Sequence, residues 1–170
     1  LRGREGERIE LDQRPVEARP DVLVYTSEPL AKPTEITGPV RVRLFASTSA
    51  PDTDFVARLT DVAPDGRSVN LTEGILRGRF HRDVHGEPEL LEPGRVYEFD
   101  IDLHVTSNVF LPGHRIRLQV TSSSFPLWDR NLNTGLDPAT DTTMQVARQT
   151  IHRGGSRPSH VILPVASRRG

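Results

Sequence analysis

Cysteine is absent from this chain, and lysine occurs only at Lys32. Without cysteine there is no disulfide framework, thiolate metal site or cysteine nucleophile, and the composition is compatible with the cytosol. The formal net charge is -1, so the chain lacks the basic excess that attracts nucleic acid or an anionic membrane. No apolar run approaches the ~18 residues of a membrane span, and no signal-peptide pattern opens the chain. We therefore expect neither a nucleic-acid partner nor a membrane partner.

The length and the turn residues indicate one domain. The chain has 170 residues, enough for one ordinary domain, and its 13 glycines and 14 prolines favour turns over long helices. Residues 1–11 form a charged, glycine-containing lead-in that starts at Leu1 rather than at methionine. We expect a single domain over residues 1–170, taken from a longer polypeptide.

Short segments of alternating apolar and polar residues recur along the chain, with the period of a strand that buries one face. Residues 40–44 and 95–104 show this alternation most clearly, and an Asp-Gly pair at residues 65–66 predicts a tight hairpin. Further strands are predicted at residues 54–62, 114–123, 142–152 and 159–165. Because helical crossovers are missing, we predict an all-β fold, either an antiparallel β-sandwich or a jelly roll.

No serine in the sequence stands in the setting of a hydrolase nucleophile. The G-x-S-x-G turn of an α/β-hydrolase is missing, and the nearest string, around Ser68, lacks the second glycine and lies in a predicted hairpin. Residues 122–124 are three consecutive serines at a strand end, where hydrogen bonds to the backbone are the simpler interpretation. We therefore assign no catalytic residue.

Two groups of side chains were weighed as metal ligands. His81 and His85 are four residues apart, but they lie in a loop rather than on a helix, so we interpret them as surface residues. Asp52, Asp54 and Asp61 could supply oxygens to calcium, yet no D-x-D-x-D-G pattern surrounds them, and they are typical turn residues. No metal site and no cofactor is predicted.

The most distinctive stretch is an irregular loop over residues 125–141. It contains Trp128, Asp129, Arg130 and Asn131, which combine the sole tryptophan with an acid, a base and an amide. One interpretation is a carbohydrate platform, with the indole stacked on a sugar ring. The other is that these four residues hold a domain interface or order their own loop, which we favour because aromatic residues are scarce.

Several strings in chain order support a family resemblance. They are residues 12–15 (DQRP), 19–30 (RPDVLVYTSEPL), 49–55 (SAPDTDF), 61–67 (DVAPDGR), 106–116 (TSNVFLPGHRI), 122–126 (SSSFP), 129–131 (DRN) and 158–164 (PSHVILP). Together they resemble the C-terminal β domain of the Xaa-Pro dipeptidyl-peptidase and cocaine-esterase family of serine hydrolases.

This resemblance implies a jelly roll similar to galactose-binding-like domains, packed on an α/β-hydrolase catalytic domain of the same polypeptide. In that family the catalytic triad lies in the upstream hydrolase domain, so no triad residue is carried onto this sequence. The expected role is a non-catalytic accessory domain of a serine hydrolase acting on peptide, ester or amide bonds. Such a domain would shape the substrate entrance and could support a homo-oligomer. The alternative is a carbohydrate-binding module of jelly-roll type.

Overall fold

Antiparallel strands build the part of the chain that the computed structural model describes, residues 12–137 and 139–166. The predicted lead-in, residues 1–11, lies outside the described residues. A helical turn, α1 (Arg14–Glu17), precedes the first strand, and a 3-10 turn (Gly78–Phe80) follows the fourth. The strands are β1 (Leu23–Thr26), β2 (Thr34–Thr48), β3 (Asp54–Val62), β4 (Ser68–Arg77), β5 (Tyr97–Phe110), β6 (Arg115–Thr121), β7 (Gln149–His152) and β8 (His160–Ile162).

The strands form two sheets. The first has the order β1-β6-β3-β4, and the second has the order β5-β2-β7, with β8 also paired to β2. Every strand pairing is antiparallel. The prediction of an all-β antiparallel sandwich is therefore confirmed, while its finer jelly-roll classification stays a prediction.

The core lies between the two sheets and follows the predicted alternation. Phe55 of β3 and Phe99 of β5 face each other with ring centroids 4.5 Å apart, and each is at most 1% exposed. Along β2 and β5 the apolar residues point inward while Arg41 and Asp100 pair on the outer face. Side chains from both sheets thus fill one apolar layer, which excludes water and holds the strand ends in place.

The outer face of the first sheet is covered as well. Residues 12–22, called the strap here, cross this face, and the backbone N–H of Gln13 donates to the carbonyl of Ser68 at 2.7 Å. Val56, Thr60 and Val62 of β3 point away from the core, yet each is at most 3% exposed. Apolar residues thus occur on both faces of this strand, and the strap is the physical reason.

The two sheets approach closely where β4 passes β5. A side-chain carbon on Gly74 would lie 1.9 Å from the carbonyl oxygen of Asp102, so only glycine fits there. The hydroxyl of the neighbouring Thr72 donates to the carbonyl of Leu103. Because β5 is an edge strand of its sheet, this contact satisfies backbone groups that would otherwise remain unpaired.

The predicted strand over residues 142–152 is wrong in its first part. Only residues 149–152 pair, as β7, because β2 ends at Thr48 and leaves no neighbouring strand for residues 142–147. The β-branched residues of this segment favour a strand locally, but a strand also needs a partner. Within the described residues, the structure contains no helix long and apolar enough to cross a bilayer.

Candidate functional site

A long connection between β6 and β7, residues 122–148, carries the predicted site residues and is called the apical loop here. Strand pairing fixes its position, because Thr121 pairs with Val56 and Gln149 pairs with Thr48. The segments between β2 and β3 and between β4 and β5 emerge at the same end of the sandwich. Residues distant in sequence therefore meet there.

Asn131 ties the apical loop to the start of β3. Its side-chain N–H groups donate to Oδ2 of Asp52 at 2.9 Å and to Oδ1 of Asp54 at 2.8 Å. Its amide oxygen accepts from the backbone N–H of Asn133 at 2.9 Å. Asp52 and Asp54 are at most 1% exposed, and buried carboxylates are costly unless they are paired. Asn131 therefore closes a network that the fold requires to be complete.

Two arginines neutralise the same carboxylates. Arg79 donates to Asp52 from its backbone N–H at 2.9 Å and from Nε at 2.8 Å, while Arg77 Nε donates to Asp54 at 3.0 Å. The hydrogen bond to Asp54 raises the pKa of Arg77 above its ordinary value. The structure thus brings Asp52 and Asp54 together but surrounds them with guanidinium groups.

Asp61, the third residue of the calcium alternative, lies elsewhere. Its Oδ1 is 2.8 Å from Nδ1 of His114, at the opposite end of β3, and both side chains are largely buried. In the described part of the chain, no three carboxylate or histidine groups converge as metal ligands. The calcium alternative therefore has no geometric support in these residues.

The other three predicted site residues are less tightly held than Asn131. Trp128 is partly buried, and its backbone N–H donates to the carbonyl of Ser124 at 3.3 Å. Asp129 is exposed, and its charge contributes to the raised pKa of Arg77. Arg130 is exposed, with its guanidinium carbon 4.7 Å from the centroid of the Phe125 ring, which is cation–π distance.

Large apolar side chains of the apical loop face solvent. Five of them are between 58% and 90% exposed, and they are called the apolar surface here: Phe125, Leu127, Leu136, Met144 and Val146. The outer face of the second sheet carries ion pairs such as Arg41–Asp100 and Arg43–Glu98, although Val105 of β5 is 73% exposed. Exposed apolar residues concentrated in one segment are typical of surfaces that contact another protein.

The strap is held to the first sheet by a buried glutamate. Glu17 is 7% exposed in its side chain and accepts from Ser68 Oγ at 2.6 Å, Gln119 Nε2 at 2.9 Å and Arg117 Nη1 at 2.5 Å. Three donors satisfy its two oxygens, which offsets the loss of hydration. The strap is consequently an integral part of the domain.

Arg58 joins the strap, the sheet and the apical loop. Its guanidinium donates to Glu73 at 2.9 Å, to Oε1 of Gln13 at 2.7 Å and to the hydroxyl of Ser124 at 3.1 Å. Its side chain is only 13% exposed. Sequence reasoning missed this residue, because its partner Gln13 lies 45 positions away along the chain.

A cavity of about 500 Å³ opens between the strap and the apical loop. The strap contributes residues such as Val16 and Arg19 to its wall, and the loop contributes Arg130. Its full lining is Gln13, Val16, Arg19, Val22, Arg58, Thr121, Ser122, Ser123, Ser124, Phe125, Arg130, Asn131 and Asn133. Two of the predicted site residues therefore border an open space of ligand size.

The serines and histidines weighed earlier form no catalytic pair. Ser68 Oγ is fully buried against Glu17 and Thr60. His81 packs edge-on against Tyr97, and its Nδ1 lies 3.1 Å from a backbone carbonyl. His85 is exposed. Throughout residues 12–137 and 139–166, no serine hydroxyl is hydrogen-bonded to a histidine ring.

Comparison with known proteins gives a consistent result. Residues 6–162 match the family of the X-Pro dipeptidyl-peptidase C-terminal non-catalytic domain. The chain is 53% identical over 159 residues to cocaine esterase of Rhodococcus sp. (strain MB1 Bresler), covering 92% of this chain and 28% of that protein.

Two solved structures share the fold. An aminopeptidase from a marine sediment archaeon, Thaumarchaeota archaeon, is 38% identical with a TM-score of 0.84, over 92% of this chain and 27% of that chain. An alpha-amino acid ester hydrolase is 36% identical with a TM-score of 0.84, over the same shares of each chain. This chain thus spans about a quarter of the length of the relatives it matches.

Proposed function

We propose that the apolar surface of this chain packs on an α/β-hydrolase catalytic domain of the same polypeptide. The premise is that the chain belongs to the family of X-Pro dipeptidyl-peptidase C-terminal non-catalytic domains. The parent enzyme would be a serine hydrolase acting on peptide, ester or amide bonds. This domain would cover part of the catalytic domain and shape the substrate entrance. The relatives found are hydrolases, and neither they nor the matched family supports the carbohydrate-binding alternative.

The observation that carries the proposal is the exposed apolar surface on a loop that hydrogen bonds hold to the start of β3. Leu127 and Val146 are 60% and 90% exposed, while Asn131, in the same loop, is tied to two buried carboxylates. A surface held in one shape loses little conformational entropy on docking, so its apolar area contributes more fully to association. Ordering of the loop by Asn131 and docking by its neighbours are therefore two parts of one role.

The first experiment asks whether this chain has catalytic activity of its own. The purified 170-residue chain is incubated with an activated ester and with an Xaa-Pro anilide. We expect no turnover above background, because no serine hydroxyl in the described residues is hydrogen-bonded to a histidine ring that could act as its base. Turnover that survives purification and disappears in Ser68→Ala or Ser123→Ala would overturn the accessory role.

The second experiment tests the docking surface by measuring how tightly this domain associates with the separately expressed catalytic domain. Leu127→Asp places a charge on the apolar surface, and Ile162→Asp places one on β8, where the apolar side chain is 44% exposed. We expect Leu127→Asp to weaken association of the separated domains by about tenfold or more, and Ile162→Asp to leave it unchanged. Equal effects would contradict the assignment. Light scattering of the chain alone shows whether the same surface also supports self-association.

A further inference from the structure

We propose that the cavity between the strap and the apical loop is a binding site for a small organic carboxylate, with Arg130 as the group that pairs with its charge. The proposal rests on the chemistry of the cavity wall, which shares Phe125 with the apolar surface.

The guanidinium of Arg130 has hydrogen-bond donors that the fold does not use. Within the described residues its guanidinium makes no hydrogen bond or ion pair, and its only contact of note is the ring of Phe125 at 4.7 Å. A guanidinium lying on an aromatic ring presents its N–H groups sideways in a fixed plane, which matches the two oxygens of a carboxylate. The ring therefore contacts Arg130 without occupying its donors.

The other two arginines that line the cavity are already paired with carboxylates. Arg19 is paired with Asp21 at 2.5 Å, and Arg58 is paired with Glu73. One uncompensated positive charge thus remains on the wall. A single charge favours a monoanion, and the nearby carboxylates of Asp21 and Glu73 disfavour a dianion such as phosphate.

The remaining lining fits the rest of such a ligand. Ser122 and Ser123 line the cavity, and in the described residues their hydroxyls have no hydrogen-bond partner, so they can donate to a carboxylate oxygen. Val16, Val22 and Phe125 give the same space an apolar side. A carboxylate joined to a compact apolar body would satisfy both parts of the wall.

The test titrates the 170-residue chain with phenylacetate and follows the amide signals by two-dimensional NMR. We expect saturable shifts at residues 121–125 and at Arg130, with affinity in the millimolar range usual for so small a ligand. Phenylacetamide, which has the same shape without the charge, and inorganic phosphate should each bind at least about tenfold more weakly.

Matched variants locate the binding group. Arg130→Gln should weaken phenylacetate binding by about tenfold or more, and Ser123→Ala by about fivefold, the effect of one hydrogen bond. Arg157→Gln removes an arginine that is exposed in the turn before β8 and outside the cavity, and should change nothing. The spectrum of each variant also reports whether that variant is folded. If Arg130→Gln is unfolded, Ser123→Ala tests the site in its place.

Absence of saturable binding would overturn the proposal, as would phenylacetate binding that a folded Arg130→Gln variant retains. Equal binding of phenylacetamide would overturn the role of the charge. None of these outcomes bears on domain docking, which the Leu127→Asp comparison tests separately.

Discussion

Glu17 Oε2 lies 2.5 Å from Nη1 of Arg117, and this ion pair is largely enclosed on the outer face of the first sheet. The two residues are 100 positions apart, so their contact joins the start of the described chain to its sixth strand. A strap held in this way is ordered only when the sheet is complete. Folding of the strap and folding of the sandwich should therefore be one event.

Glu17→Gln tests this coupling. Glutamine can still accept from Ser68, but it leaves Arg117 without its charged partner. We expect the free energy of unfolding to fall by about 3 kcal/mol, the cost of breaking a buried ion pair, in urea denaturation followed by circular dichroism. The control is Glu28→Gln, whose side chain is 96% exposed, with an expected change below about 0.5 kcal/mol. Equal changes in the two variants would show that the pair is unimportant.

Gly74→Ala tests the close passage of β4 along β5. The added methyl carbon would lie 1.9 Å from the carbonyl oxygen of Asp102, so one of the two backbones must move. We expect a loss of about 3 kcal/mol in the free energy of unfolding, the upper range for overpacking. Gly154→Ala adds the same methyl where nothing lies within 4 Å, and should be nearly neutral. A neutral Gly74→Ala would mean that the sheets are farther apart than described.

The alternation of residues was sufficient to predict the core, but it did not predict what covers the outer face of the first sheet. Residues 95–104 showed which side of β5 is buried, because that pattern is local. Arg58 would be expected to face solvent on the same reasoning. Its burial depends on Gln13, 45 positions away, and no local pattern reports such a contact.

The candidate site shows the same limit. The sequence indicated Asn131 as a loop residue and, separately, Asp52, Asp54 and Asp61 as a group of carboxylates. What it did not reveal is that Asn131 binds Asp52 and Asp54 across 79 and 77 positions. Only strand pairing, which places residue 121 beside residue 56, brings these groups together.

Asn131→Asp tests the closure of the apical loop. The substitution keeps the size of the side chain but replaces a donor by a third carboxylate facing Asp52 and Asp54. We expect the free energy of unfolding to fall by about 3 kcal/mol, since two buried acceptors lose their donor and gain a like charge. The emission of Trp128, the only tryptophan, should also shift as the loop opens.

Asp129→Asn is the control for that variant, because it changes the charge of an exposed residue in the same loop. It should leave both the free energy of unfolding and the tryptophan emission close to those of the unaltered chain. If Asn131→Asp behaves like Asp129→Asn, the loop is ordered by other contacts and Asn131 has no anchoring role.

Asp12 gives the strap a dependence on pH. The hydrogen bond from Arg14 Nε at 2.7 Å lowers the pKa of Asp12 from 3.8 to about 2. Because the folded state holds this proton less tightly than the unfolded chain, the interaction stabilises the fold above about pH 4 and is lost as pH falls towards about 2.

In urea denaturation at a series of pH values, Asp12→Asn should therefore show a shallower decline of stability across this window. Arg14→Gln should flatten the decline in the same way, because it removes the donor to Asp12. Part of the decline should remain in both variants, because Arg19 lowers the pKa of Asp21 as well. A decline as steep in both variants as in the unaltered chain would show that the Asp12–Arg14 contact does not persist in solution.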